Sequence, residues 1–169
     1  MKIANVPGLL IRQARPEDCL LILTLIRELA EYERLASQVT ASEEEIRKAV
    51  FEEPGRVEVW IAELNGSPAG FAIFFHNFSS FLGRPGLYLE DLFVRPDVRG
   101  RGVGKALLRR LARIAVERGC GRMEWAVLDW NEPAIRFYES LGAVGMRDWT
   151  VYRLTGEALR KLATDEEPE

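Results

Sequence analysis

Arg99-Gly100-Arg101-Gly102-Val103-Gly104 is the stretch on which the reading of this chain turns. It stands between a strand-like run, residues 87–94, closed by Pro96, and a strongly amphipathic run, residues 105–118, closed by Gly119. Glycines at 100, 102 and 104 let the backbone turn several N–H groups into one concavity. The next helix would add its unpaired first-turn donors and the positive end of its dipole. Such a turn suits a phosphate or pyrophosphate; the plainer alternative is a tight strand-to-helix connection with glycines for sterics alone. Lys105, Arg109, Arg110 and Arg113 read mostly as a solvated helix face, with Arg101 and Lys105 within reach of such phosphates.

Two common nucleotide loops fail on spacing. A P-loop needs four residues between its first glycine and Gly-Lys, then Ser or Thr. Here three residues separate Gly100 from Gly104, and Ala106 follows Lys105. A dinucleotide fingerprint needs G-x-G-x-x-G in the first βαβ unit, whereas this G-x-G-x-G lies past mid-chain.

Working outward, residues 9–14 read as a short strand, and Pro16-Glu17-Asp18 opens a helix whose apolar positions from Leu20 to Ala30 recur at helical spacing. Ser42 and Glu45 have capping-box spacing and start a second helix through Ala49. Residues 57–64 and 69–75 form a hairpin about Asn65-Gly66. Residues 77–86 carry Phe78 and Phe81 among serines and glycines and read as a mobile loop. Residues 122–128 are a strand, Asn131 caps a helix to Leu141 with Gly142 beyond it, and residues 149–154 are a last strand. A short helix from Gly156 and an acidic tail, residues 165–169, whose composition favours disorder, complete the chain. The order β-α-α-β-β-β-α-β-α-β predicts one α/β (α+β) domain over residues 1–169, with a mixed sheet and helices on its faces.

A chain of 169 residues buries a sizeable core without covalent staples. Its net charge of −3 argues against nucleic acid as a partner. Cys19 and Cys120 are too few for a disulfide framework and read as buried free thiols of a reducing compartment. Neither a signal peptide nor a run approaching the ~20 apolar residues of a membrane span is present. A cytoplasmic protein with no membrane partner is expected.

The spacing Arg99-x-x-Gly102-x-Gly104 resembles the coenzyme A loop of the GNAT superfamily of N-acetyltransferases. Residues 88–94 (YLEDLFV), 130–138 (WNEPAIRFY) and 28–33 (ELAEYE) are similar, in order, to its diamine (spermidine/spermine) branch. The resemblance spans nearly the whole chain, and it implies a mixed, mostly antiparallel central sheet with helices on both faces. It implies acetyl-CoA as co-substrate, contacts to it from Leu92, Phe93, Val94, from Arg99 through Lys105 (Gly100, Arg101, Gly102, Val103 and Gly104 included) and from Asn131, and a homodimer. It also implies direct acetyl transfer to a primary amine of a small cation, a polyamine or diamine or a lysine-like amino acid. A protein amino group as acceptor and a non-catalytic acyl-CoA-binding module are the rival readings.

That chemistry needs a neutral amine, a donor for the developing oxyanion and a proton for the leaving thiolate. An alkyl amine titrates near ~10 and must first lose a proton. Glu90 and Asp91, adjacent on one strand, put a carboxylate on each face, so one of them meets a covered side. An ordinary salt bridge is the plain reading of Asp91. The resemblance assigns Glu90 to the amine proton, directly or through water, and Tyr138 to the thiolate as general acid; a phenol stays protonated at pH 7. Tyr138 otherwise reads as core, on one stripe with Ala134, Ile135 and Leu141. Tyr32 and Glu33 look like a solvated helix terminus, and the resemblance makes them amine-binding groups. His76, the one histidine, reads as a satisfied structural residue, and no Cys/His cluster has metal-ligand spacing.

Overall fold

The computed structural model describes residues 6–53 and 56–164; the acidic tail lies outside the described residues. The chain forms two compact units, Met1–Leu128 and Asp129–Glu169. The first holds β1 (Leu9–Gln13), α1 (Cys19–Tyr32), α2 (Glu43–Arg47), β2 (Glu58–Leu64), β3 (Ser67–Ser79), β4 (Arg84–Val94), α3 (Val103–Glu117) and β5 (Met123–Glu124). The second holds α4 (Glu132–Ser140) and α5 (Gly156–Thr164).

The sheet runs β1-β2-β3-β4-β5, antiparallel through β4 and parallel between β4 and β5. Odd residues of β2 and β3, among them Val59, Ile61, Phe71 and Ile73, join Phe93 and the Ile22, Leu25 and Leu29 side of α1 in one buried cluster. Even residues face the other way, where Trp60 meets Arg110 of α3. Helices therefore cover both faces of a mixed sheet, as the element order predicts.

Local chemistry explains the joints. Asn65 and Gly66 take positive φ (53° and 79°), the twist a two-residue hairpin demands. The Ser42 Oγ accepts from the Glu45 N–H at 3.2 Å and the Glu45 carboxylate accepts from the Ser42 N–H at 2.8 Å, closing the capping box. The helix it opens continues as a wider π turn, Lys48–Glu52, which brings Val50 and Phe51 against the core. Ahead of α1, the Asp18 carboxylate accepts from both Nη atoms of Arg12 (2.7 and 2.9 Å) and from the Arg15 N–H at 2.7 Å.

Three expectations need correction. Residues 77–86 are mostly strand: Asn77 faces Gly86, Phe78 faces Pro85, Ser79 faces Arg84, and only residues 80–83 turn. A Cβ at Gly86 would lie 2.2 Å from Asn77 Oδ1, so a larger residue there would have to displace that side-chain amide. The strand expected at 122–128 shrinks to Met123–Glu124, since its partner β4 changes course one residue pair later. No strand forms at 149–154; the second unit, in its described residues, has no other extended segment to pair with it.

Candidate active site

The course change of β4 is a β-bulge. Ile73 pairs with Asp91 and Phe74 with Leu89, so Glu90 is the extra residue. It is exposed, whereas Asp91 is half-buried. The bulge reverses the alternation of β4. Below it, the Leu87 N–H points outward and donates to Arg122 O at 3.0 Å on the β5 side. Above it, Arg95 N–H donates inward to Ala69 O at 2.9 Å, so ladder alternation turns the amides of Asp91 and Phe93 toward β3 and those of Leu92 and Val94 outward. Pairing with β5 ends at Tyr88–Glu124. The outward N–H and C=O groups of Leu92 and Val94 thus lie along a strand edge that no described strand covers.

The same reversal puts the Asp91 side chain on the α1 face, beside Ile73 and Phe93. No described cation forms an ion pair with it. Burial first, then the charges of Glu90 and Glu33, push its carboxyl up to about 6. The salt bridge expected for Asp91 is absent among the described residues, and the charges that act on it are those of Glu90 and Glu33. Glu33, half-buried at the end of α1, is itself raised by burial, and Arg34 ends that helix at a left-handed φ of 62°. Tyr32 and Glu33 are therefore not a solvated terminus.

Arg95 fixes this end of α1 to the end of β4. Its Nε and Nη2 donate to the Glu28 carboxylate at 2.9 and 2.7 Å, and its Nη1 donates to Pro68 O at 2.9 Å. Arg99 bends to the same face: its guanidinium lies 4.3 Å over the Tyr32 ring and 5.7 Å from the Phe93 ring, and its Nε donates to Val94 O at 2.8 Å. The structure thereby brings Tyr32, Glu33, Glu90, Asp91, Phe93 and Arg99 together.

The glycine turn follows directly. Gly100 and Gly102 take φ of 76° and 85°, and Gly102 is the N-cap of α3. The first α3 bond runs from Ala106 N–H to Gly102 O at 3.0 Å, so the N–H groups of Val103, Gly104 and Lys105 precede the ladder. Gly102 offers them no side-chain cap, and a Cβ on Gly100 would meet nothing within 4 Å. Arg101 and Lys105 are exposed and Val103 is buried in the core. An anionic diphosphate fits an open turn of this kind.

In the second unit, the buried Asn131 caps α4, its Oδ1 accepting from the Ala134 N–H at 3.3 Å. Tyr138 is half-buried, with its ring 5.4 Å from that of Phe137. His76 departs from its expectation: it lies edge-on to Phe74, and its buried Nε2 has no hydrogen-bond partner. Among the described residues no group of three His, Cys, Asp or Glu is placed to hold a metal, and no helix is long and apolar enough to cross a membrane.

The acetyltransferase (GNAT) family model matches residues 22–143. This chain belongs to the GNAT family. Among the relatives of this acetyltransferase is a thialysine N-epsilon-acetyltransferase of Bos taurus, 39% identical over 91% of the chain and 96% of that protein. An L-ornithine N5-acetyltransferase of Arabidopsis thaliana is 34% identical over 90% of the chain and 86% of its own length. A solved integron cassette protein from V. cholerae superposes with a TM-score of 0.78 at 31% identity, over 94% of this chain and 99% of that one. An acetyltransferase of this family uses acetyl-CoA as co-substrate, the ligand whose diphosphate the open turn before α3 fits.

Proposed function

We propose that this acetyltransferase moves the acetyl group of acetyl-CoA to a primary amine of a small cationic acceptor. The observation that carries the reading is the edge of β4 that no described strand covers, running from the Glu90 bulge toward the glycine turn before α3. Acetyl-CoA supplies the acetyl thioester. The N–H groups of Val103, Gly104 and Lys105 would hold its diphosphate, with Arg101 and Lys105 in support. The outward amides of Leu92 and Val94 would donate along its extended arm, as an added strand does. Donors fixed by a sheet cost no reorganisation when charge develops on the acyl oxygen.

Asp91 would accept the amine proton, with Glu90 exposed beside it to relay or hold the ammonium. A carboxyl near 6 is a better match to an amine near neutral pH than one at its ordinary value. This moves the base one residue from Glu90, which the resemblance favours. Tyr138 would donate its phenolic proton toward the leaving thiolate, and Asn131, besides capping α4, would contact the coenzyme. The family match crosses residue 128, which supports the two units acting as one acetyltransferase domain. A homodimer in the cytoplasm completes the reading, and sedimentation tests the dimer.

The test is coenzyme A release from acetyl-CoA across a panel of polyamines, diamines, diamino acids and lysine peptides. Release with the small cations supports the proposal. Tight acetyl-CoA binding with no turnover on any amine would replace it with a binding module.

A further inference from the structure

The helix that carries Tyr32 and leads into Glu33 meets the sheet through two kinds of contact. Its Ile22, Leu25 and Leu29 pack with Phe71, Ile73 and Phe93, and such burial is non-directional. Direction comes from arginines toward its two ends. At the start, Arg12 of β1 takes Asp18 with both Nη atoms; one turn before Tyr32, Arg95 takes Glu28 with Nε and Nη2. Arg95 is itself fixed to the start of β3, by its own N–H on Ala69 O and by Nη1 on Pro68 O. Asp91, Phe93 and Arg95 are alternate residues, so the carboxylate proposed to take the amine proton and the Arg95 fork lie along one face. A part-buried ion pair adds little stability, because desolvation of the two charges offsets their attraction. What a bidentate pair supplies is geometry.

We infer that the Arg95–Glu28 pair is a positioning device for the acceptor: it holds the end of α1, with Tyr32 and Glu33, in register with the Asp91 end of β4. The inference rests on the proposed acetyl transfer with Asp91 as proton acceptor. Neither member of the pair touches the amine. Glu33 acts on Asp91 from the end of α1 and Glu90 acts on it from its own strand, so of the two only Glu33 depends on how α1 is held. The exposed Arg99, stacked on Tyr32, adds a contact of lower directionality. Without the pair, α1 keeps its apolar contacts and loses the one that orients its last turn. The amine would then meet Asp91 out of line, and a misplacement of about 1 Å costs up to about 10²-fold in rate. The Asp91 carboxyl, freed from part of the Glu33 charge and reached by more water, would move down toward its ordinary value. Acetyl-CoA binding would be spared, because the N–H groups proposed for its diphosphate belong to the first turn of α3.

The experiment measures kcat/KM for the amine as a function of pH, with L-lysine, putrescine and spermidine as acceptors, and the Kd for acetyl-CoA. The variants are Arg95→Met, Arg95→Lys, Glu28→Gln and the double variant Arg95→Met with Glu28→Gln. Arg95→Met keeps the apolar stem and removes the fork; Glu28→Gln keeps the shape and removes the charge, and it carries the test if Arg95→Met does not fold. Arg95→Met should lower kcat/KM for the amine about 10- to 100-fold, move its acid limb to lower pH, and leave the Kd for acetyl-CoA near wild type. Glu28→Gln should act in the same directions by a smaller factor, and Arg95→Lys should recover part of the loss. The double variant should be no worse than Arg95→Met, because both substitutions break one contact. Wild-type kcat/KM in both single variants, a loss with an unmoved acid limb, a matching loss of acetyl-CoA affinity, or losses that multiply in the double variant would each overturn the inference. Transfer to none of the three amines by wild type, or full turnover in Asp91→Asn, would overturn the reading on which it rests, and this inference with it. An inactive Asp91→Asn beside an unaffected Arg95→Met overturns this inference alone.

Discussion

Replacing Asp91 by Asn should make the protein more stable and nearly inactive. Holding the carboxylate charged beside Glu90 and Glu33 costs folding free energy, because its pKa rises from an ordinary 3.8 to about 6. A rise of roughly two pKa units corresponds to about 3 kcal/mol at pH 8, and partial solvation lowers this to about 2 kcal/mol. The sign follows from proton uptake. Between the unfolded and folded values the native state holds the proton more tightly, so stability falls as pH rises. Below the unfolded value the carboxyl is neutral in both states and the cost vanishes. Asn keeps the shape and removes the charge. The variant should gain roughly 4–8 °C in Tm at pH 8, about 2–4 °C per kcal/mol for a chain of this size, and the gain should shrink toward zero near pH 4. Its kcat/KM should fall by about 10²–10⁴, the usual range for a lost general base. Thermal melts at pH 4 and pH 8 together with a thiol-release assay measure both. A Tm at pH 8 equal to or below wild type would refute the account of Asp91 as an uncompensated charge. Unchanged turnover would remove it from the proton path.

Two further outcomes follow from the coenzyme side. Tyr138→Phe should lower kcat by about 10²-fold or more while leaving the Kd for acetyl-CoA near wild type, since only a transferable proton is removed; an unchanged kcat would return Tyr138 to its packing role. Gly102→Ala forces a side chain into a φ of 85°, which costs roughly 1–2 kcal/mol, and its Cβ would lie 3.3 Å from a Val6 methyl. Calorimetry should show weaker acetyl-CoA binding with a modest loss of stability; full affinity would mean the turn does not need its left-handed cap.

Much of this was legible in sequence because the physics is local. Positive φ at Asn65-Gly66 and at Gly100 and Gly102 is dictated by residues that tolerate it. The Ser42–Glu45 box and the Asn131 cap span three residues each. The helical periodicity of α1 and α3 set the buried faces. Residues 77–86 misled because serine, glycine and proline favour loops. Their strand character comes from partners: the Phe75–Tyr88 stack at 5.2 Å, and the Asn77 Nδ2 donating to Glu124 Oε2 at 3.2 Å.

By itself the sequence determined the order of elements as far as α4, the glycine turn and the presence of two adjacent acids before it. Which acid is covered and which amides point outward was decided only by the tertiary structure. One inserted residue at the bulge shifts every later side chain of β4 to the opposite face. That shift depends on pairing with β3, a partner whose residues Ile73 and Phe74 lie some fifteen positions earlier. The direction of the Arg99 side chain was hidden for the same reason. Its stacking partner Tyr32 is remote in sequence and becomes a neighbour only when α1 packs on the sheet.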